Sequence, residues 1–66
     1  MKMSDLNKYE SIGNYHIRLE VTYGRDFNFY TVGLYEYGKE VKSNVYGLDE
    51  RKAALACFRR YVKIAQ

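Results

Sequence analysis

Tyr15-His16-Ile17-Arg18-Leu19-Glu20-Val21-Thr22-Tyr23 alternates, residue by residue, between apolar and polar side chains. A period of two over nine positions describes a strand buried on one face and open on the other. Its inward set is Tyr15, Ile17, Leu19, Val21 and Tyr23; His16, Arg18 and Glu20 point outward. Gly24-Arg25-Asp26 then reads as a turn.

Working outward from that strand, a second runs from about Phe27 to Tyr37 and carries bulk on both faces. Tyr30, Val32 and Leu34 occupy even positions; Phe29, Thr31, Tyr35 and Tyr37 occupy odd ones. Two loaded faces place it centrally in a sheet. Gly33 leaves two registers open. Regular alternation keeps Phe29, Tyr35 and Tyr37 on the open side, whereas a bulge at Gly33 turns Phe29 and Leu34 inward together. Gly38-Lys39 suits a two-residue hairpin turn with glycine first. A third strand, Glu40 to Tyr46, then offers Val41 and Val45 as inward residues and ends at Gly47.

From Asp49 the period becomes helical. Ala54, Leu55, Phe58, Tyr61, Val62 and Ala65 recur at three- and four-residue spacing and form one apolar stripe, with Cys57 at its margin. Asp49 is the expected N-cap, and Glu50 suits the positive end of the helix dipole. Residues 1–14 admit three readings. They form an extension, a short helix capped by Ser4-Asp5 with Leu6 and Tyr9, or a short strand Lys8–Ile12 ending in a Gly13-Asn14 turn.

The expected fold is therefore α+β: an antiparallel sheet of three strands, or four, packed against one C-terminal amphipathic helix. Residues 15–66 make a single βββα domain behind residues 1–14. Its core is Ile17, Leu19, Val21, Val32, Leu34, Val41, Val45, Leu55, Phe58 and Val62. With 66 residues and one cysteine, the chain has no internal disulfide to staple a small core. The lone thiol and the lack of any apolar leader or membrane-length run lead us to expect a cytoplasmic protein.

Charge separates the elements. Residues 1–48 balance six cations with six acids, whereas residues 49–66 hold five cations against two acids, the whole of the net +3. The sheet is neutral and the helix basic. Lys52, Arg59, Arg60 and Lys63 collect away from the apolar stripe, where they could neutralise phosphates or simply offset the dipole.

No catalytic constellation is legible. His16 is the single histidine and points outward, and Cys57 reads as a packed helix residue despite Arg60 three positions on. The glycines match no phosphate-loop spacing. We expect no enzyme activity, no cofactor and no metal. The sharper feature is the open face. Phe29, Tyr35 and Tyr37, flanked by His16 and Arg18 on one side and Lys42, Asn44 and Tyr46 on the other, match the composition of binding hot spots.

The order strand, strand, strand, helix over residues 15–65 resembles the last part of a double-stranded-RNA-binding domain. That resemblance implies cations gripping phosphates at the helix start, where Arg51 and Lys52 follow Asp49 and Glu50. In size and plan the tyrosine-rich chain, with Phe29, Tyr35 and Tyr37 on a sheet face, also resembles phage and mobile-element inhibitors of the anti-CRISPR type. This second resemblance implies steric blockade of a nuclease or guide-RNA effector complex. The expected partner is thus another protein, with nucleic acid bound by the helix face as the alternative. Pairing with a second copy through a sheet edge is a third.

Overall fold

A computed structural model describes residues 7–66. It shows four strands and one helix: β1 (Lys8–Ile12), β2 (Tyr15–Tyr23), β3 (Asn28–Glu36), β4 (Lys39–Gly47) and α1 (Arg51–Ala65). The strands form one antiparallel meander in the order β1-β2-β3-β4, so β1 and β4 are open edges. Short connections dictate this arrangement, because a two- to four-residue loop can only return the chain beside itself. The expected α+β architecture is present, with four strands. The Ser4-Asp5 cap lies outside the described residues, and Tyr9 stands in strand β1. No helix of the described chain is long and apolar enough to cross a membrane.

β2 and β3 pair without interruption from Tyr15↔Glu36 to Tyr23↔Asn28, passing straight through Arg18↔Gly33. Gly33 is therefore not a bulge, and the regular register holds. Ile17 and Leu19 on β2, with Tyr30, Val32 and Leu34 on β3, face the helix and are buried. Ala54, Cys57, Phe58 and Tyr61 close the core from α1. The helix stripe is rotated toward Cys57 compared with the sequence expectation, leaving Leu55 and Val62 at its half-buried edge.

The third strand departs from expectation in two steps. Its turn residues are Tyr37 and Gly38, with φ of 54° and 79°, and Glu36↔Lys39 is the closing pair. Positive φ at both central positions is what a type I′ turn requires. The turn thus sits one residue earlier than Gly38-Lys39. Then Glu40 pairs with Tyr35 and Lys42 with Leu34, so Val41 is an extra residue and β4 is bulged there. An odd insertion reverses every later side chain, because the strand period is two. Val41 and Val45, expected inside, are 49% and 62% exposed. Lys42, Asn44 and Tyr46, expected on the open face, are instead opposite the inward residues Leu34, Val32 and Tyr30.

Asn44 turns this reversal to use. Its Nδ2 donates to the Tyr61 hydroxyl at 2.8 Å and approaches the Cys57 sulfur at 3.6 Å. Burial, then a hydrogen bond with the Cys57 thiol, pushes the Tyr61 phenol up to about 12. The hydrogen bond with Cys57, then burial, also raises that of Tyr46, against a small opposing pull from the charge of Arg60. Between β4 and α1, polar groups thus satisfy each other where valines were expected.

A single 3-10 turn, Leu48–Glu50, precedes α1. Asp49 is inside that turn rather than at the N-cap. Glu50 reaches back to accept the Gly47 N–H at 2.9 Å, satisfying one of the donors that a helix start leaves open.

Candidate functional site

The sheet face away from α1 is covered by no other described element. Its side chains can be placed by reading across the ladders. One row runs Ser11, His16, Tyr35, Glu40; the next runs Tyr9, Arg18, Gly33, Ser43. Glu20, Thr31 and Val45 follow, then Thr22 and Phe29.

Arg18 is the centre of this face. Its guanidinium carbon lies 5.4 Å from the Tyr9 ring centroid and 5.5 Å from that of Tyr35. Both distances fall within cation–π range, so the two tyrosines flank one cation. The second contact depends on Gly33. A Cβ built there would stand 2.7 Å from Tyr35 Cε1 and 3.1 Å from its hydroxyl oxygen. The ring therefore leans over Gly33, a space any other residue would occupy, and so reaches toward Arg18.

Other bonds steady the surroundings. Ser11 Oγ and His16 Nδ1 are 2.9 Å apart, and the Thr22 and Thr31 hydroxyls are 3.1 Å apart. Arg18 also meets Glu20 at 3.4 Å, with both side chains more than 40% exposed. Such an ion pair contributes little energy but limits where the guanidinium can swing. At the far end, the Phe27 and Phe29 rings are tilted at 48° with centroids 5.7 Å apart.

Of the predicted face residues, Phe29, Tyr35, His16 and Arg18 share this surface. Tyr37 does not. It occupies the β3–β4 turn, 73% exposed, and accepts a hydrogen bond from Asn14 Nδ2 at 2.7 Å. Its own N–H donates to the Asn14 carbonyl at 3.0 Å, tying the two hairpin turns together. Its expected place was lost because the strand ends one residue before it. Tyr9 is the residue that sequence reasoning missed. A Gly13-Asn14 turn puts Ile12 opposite Tyr15, and counting back from that pair sets Tyr9 opposite Arg18. That register follows from the turn alone once Lys8–Ile12 is a strand.

Ser11 and His16 form the kind of pair that nucleophilic catalysis uses, yet both are exposed on a flat face instead of converging in a cleft. Among the described residues no group of three or more His, Cys, Asp or Glu side chains is placed to hold a metal ion. Cys57 is buried in the core.

Comparisons of the chain with protein-family models, curated proteins and solved structures find no match.

On the helix, Lys52, Arg59, Arg60 and Lys63 are all exposed. Lys52, Arg59 and Lys63 recur at spacings of seven and four, which align them along the side opposite the buried stripe. Arg60 lies to one side of that line, close enough to Tyr46 for its charge to act on the phenol. Arg59 also borders a groove of about 450 Å³ between β1 and α1, whose other lining residues are Lys8, Tyr9, Glu10, Phe58 and Val62.

Proposed function

We propose that this chain is a non-enzymatic protein-binding module that docks its partner on the open sheet face. Arg18 held between Tyr9 and Tyr35 is the observation that carries this reading. Tyrosine and arginine dominate interface hot spots because they bury much area, and a pre-ordered arginine loses less entropy on binding. Phe29 and Phe27 extend the apolar part of the surface, and His16 supplies a polar rim. The mode of action is occlusion, as for the phage-type inhibitors of bacterial defence complexes that the chain resembles in size and plan.

The test is capture of host proteins by the immobilised chain, compared with a Phe29→Ala/Tyr35→Ala variant. We expect the variant to keep its circular dichroism spectrum and lose its partner. A variant that stays folded and captures the same partner undiminished removes the open face from consideration.

A second reading has its own observation: the aligned, exposed cations Lys52, Arg59 and Lys63, with Arg60 beside them. Here the helix binds nucleic acid through phosphates. Affinity for duplex RNA should then fall steeply with salt, and more gently once Arg59, Arg60 and Lys63 are alanine. No binding at low salt excludes it.

A further inference from the structure

The two open edges of the sheet differ in how they treat an incoming strand. β4 is bulged at Val41 and presents Lys39 and Lys42 along its length, both devices that discourage edge pairing. β1 has no bulge, and the charges it carries, Lys8 and Glu10, are of opposite sign rather than a pair of lysines. All five of its residues stay in register with β2, from Lys8↔Leu19 to Ile12↔Tyr15.

Backbone alternation says which groups of β1 remain available. Ile12 and Tyr15 flank a two-residue turn, so they exchange both hydrogen bonds, as do Glu10 with Ile17 and Lys8 with Leu19. The N–H and C=O groups of Tyr9 and Ser11 therefore point away from the sheet. Asn7, the residue before β1, is tied to β2 by its side-chain oxygen, which accepts the Val21 N–H at 3.2 Å.

We propose that β1 pairs antiparallel with β1 of a second copy about a two-fold axis at Tyr9, joining two sheets into one of eight strands. In that register Tyr9 bonds Tyr9 through its outward groups, and Ser11 of each copy falls opposite Asn7 of the other. On the helix side, Lys8 of each copy stands directly opposite Glu10 of the other. These are non-hydrogen-bonded positions, where side chains approach most closely. Neither Lys8 nor Glu10 has an ion-pair partner among the described residues of its own chain, so the pairing is supplied twice by the second copy. A register centred on Glu10 fails on both counts. It opposes two like charges, and the backbone groups of Glu10 already serve Ile17.

The consequence for the surface is direct. On the open face the row Tyr35, Arg18, Tyr9 continues across the axis into Tyr9, Arg18 and Tyr35 of the second copy. Both helices lie on the other side, with the two β1–α1 grooves adjoining. This assembly goes beyond the docking face proposed above, and either can fail without the other.

Sedimentation of the wild-type chain over rising concentration should reveal a dimer of twice the monomer mass. Glu10→Lys puts lysine against lysine twice and should weaken the dimer by about tenfold or more. Lys8→Glu/Glu10→Lys restores opposite charges only in this register, so it should recover the wild-type constant. Amide exchange gives an independent readout: Tyr9 and Ser11 should become protected as concentration rises, while Glu10 is protected throughout. A single monomeric mass at high micromolar concentration overturns the proposal. So does a dimer indifferent to Glu10→Lys, or a double variant that stays as weak as the single one.

Discussion

On the helix side of the sheet, Ile17, Leu19, Val32 and Leu34 are aliphatic and wholly shielded from water. On the other side, the residues interleaved with them in the same two strands include Arg18, His16, Phe29 and Tyr35, none of them fully buried. The first face is held by burial: its side chains have lost water and gained close packing. The second is held by particular geometric matches, a ring over a glycine and a cation between rings. Changes to the first should therefore be read in stability, and changes to the second in recognition.

The largest expected effect is on the buried side. Leu34→Ala should cost about 2–5 kcal/mol, since the surrounding core closes only partly over the lost volume. A domain this small has a total stability of the same order. Urea denaturation should find the variant largely unfolded; a midpoint near wild type would mean that the helix-side core is looser than its burial implies.

Next comes the alkaline limit of the same side. Tyr61 has its folded-state pKa raised to about 12 from 10, so between those values the folded state holds a proton that the unfolded state has released. Its contribution is complete below about pH 10 and is lost as pH rises toward 12. Thermal melts across that window should fall with pH, and Tyr61→Phe should flatten the slope. An unchanged slope assigns the alkaline loss to other groups.

Gly33→Ala tests the open side. The backbone gain of roughly 0.5–1 kcal/mol from replacing a strand glycine is set against displacement of the Tyr35 ring, so stability should hardly change. The ring-current shifts of the Arg18 side-chain protons, by contrast, should collapse in the NMR spectrum. Retained shifts would show that the ring finds Arg18 without the space at Gly33.

Smallest of all should be Tyr37→Asn. Asparagine tolerates the φ of 54° that tyrosine adopts there, and Asn-Gly is the favoured pair in such turns. Loss of the exposed hydrogen bond with Asn14 offsets part of the gain. We expect a melting temperature equal to wild type or slightly higher; a clear drop would give the bond between the turns a larger share in holding the sheet.

Much of this was legible beforehand, and the gaps have physical causes. β2 and β3 declared themselves because Ile17, Leu19, Val32 and Leu34 fall on alternate positions. The helix did so through Ala54, Phe58 and Tyr61. Val41 and Val45 misled because a bulge leaves no mark in hydrophobic pattern: valine at every fourth residue looks inward until one residue drops out of register. Asn44 could not be recognised as an inward residue, since its partners, Tyr61 and Cys57, are 17 and 13 positions away. Tyr9 went unplaced because the strand carrying it is short and polar, with a period too faint to stand alone.

Local periodicity, being a property of neighbours along the chain, was enough to determine that this protein is a sheet with a helix on one face. It also determined that Arg18 faces the uncovered side; that Phe29 joins it there was decided by the unbroken pairing of β2 with β3 through Gly33. Which residues meet there, and which edge is free to pair, depended on register, and register is set by turns and bulges across strands. A displacement of one residue costs little locally yet inverts a whole strand, so the contacts that select it lie between elements, where linear order is silent.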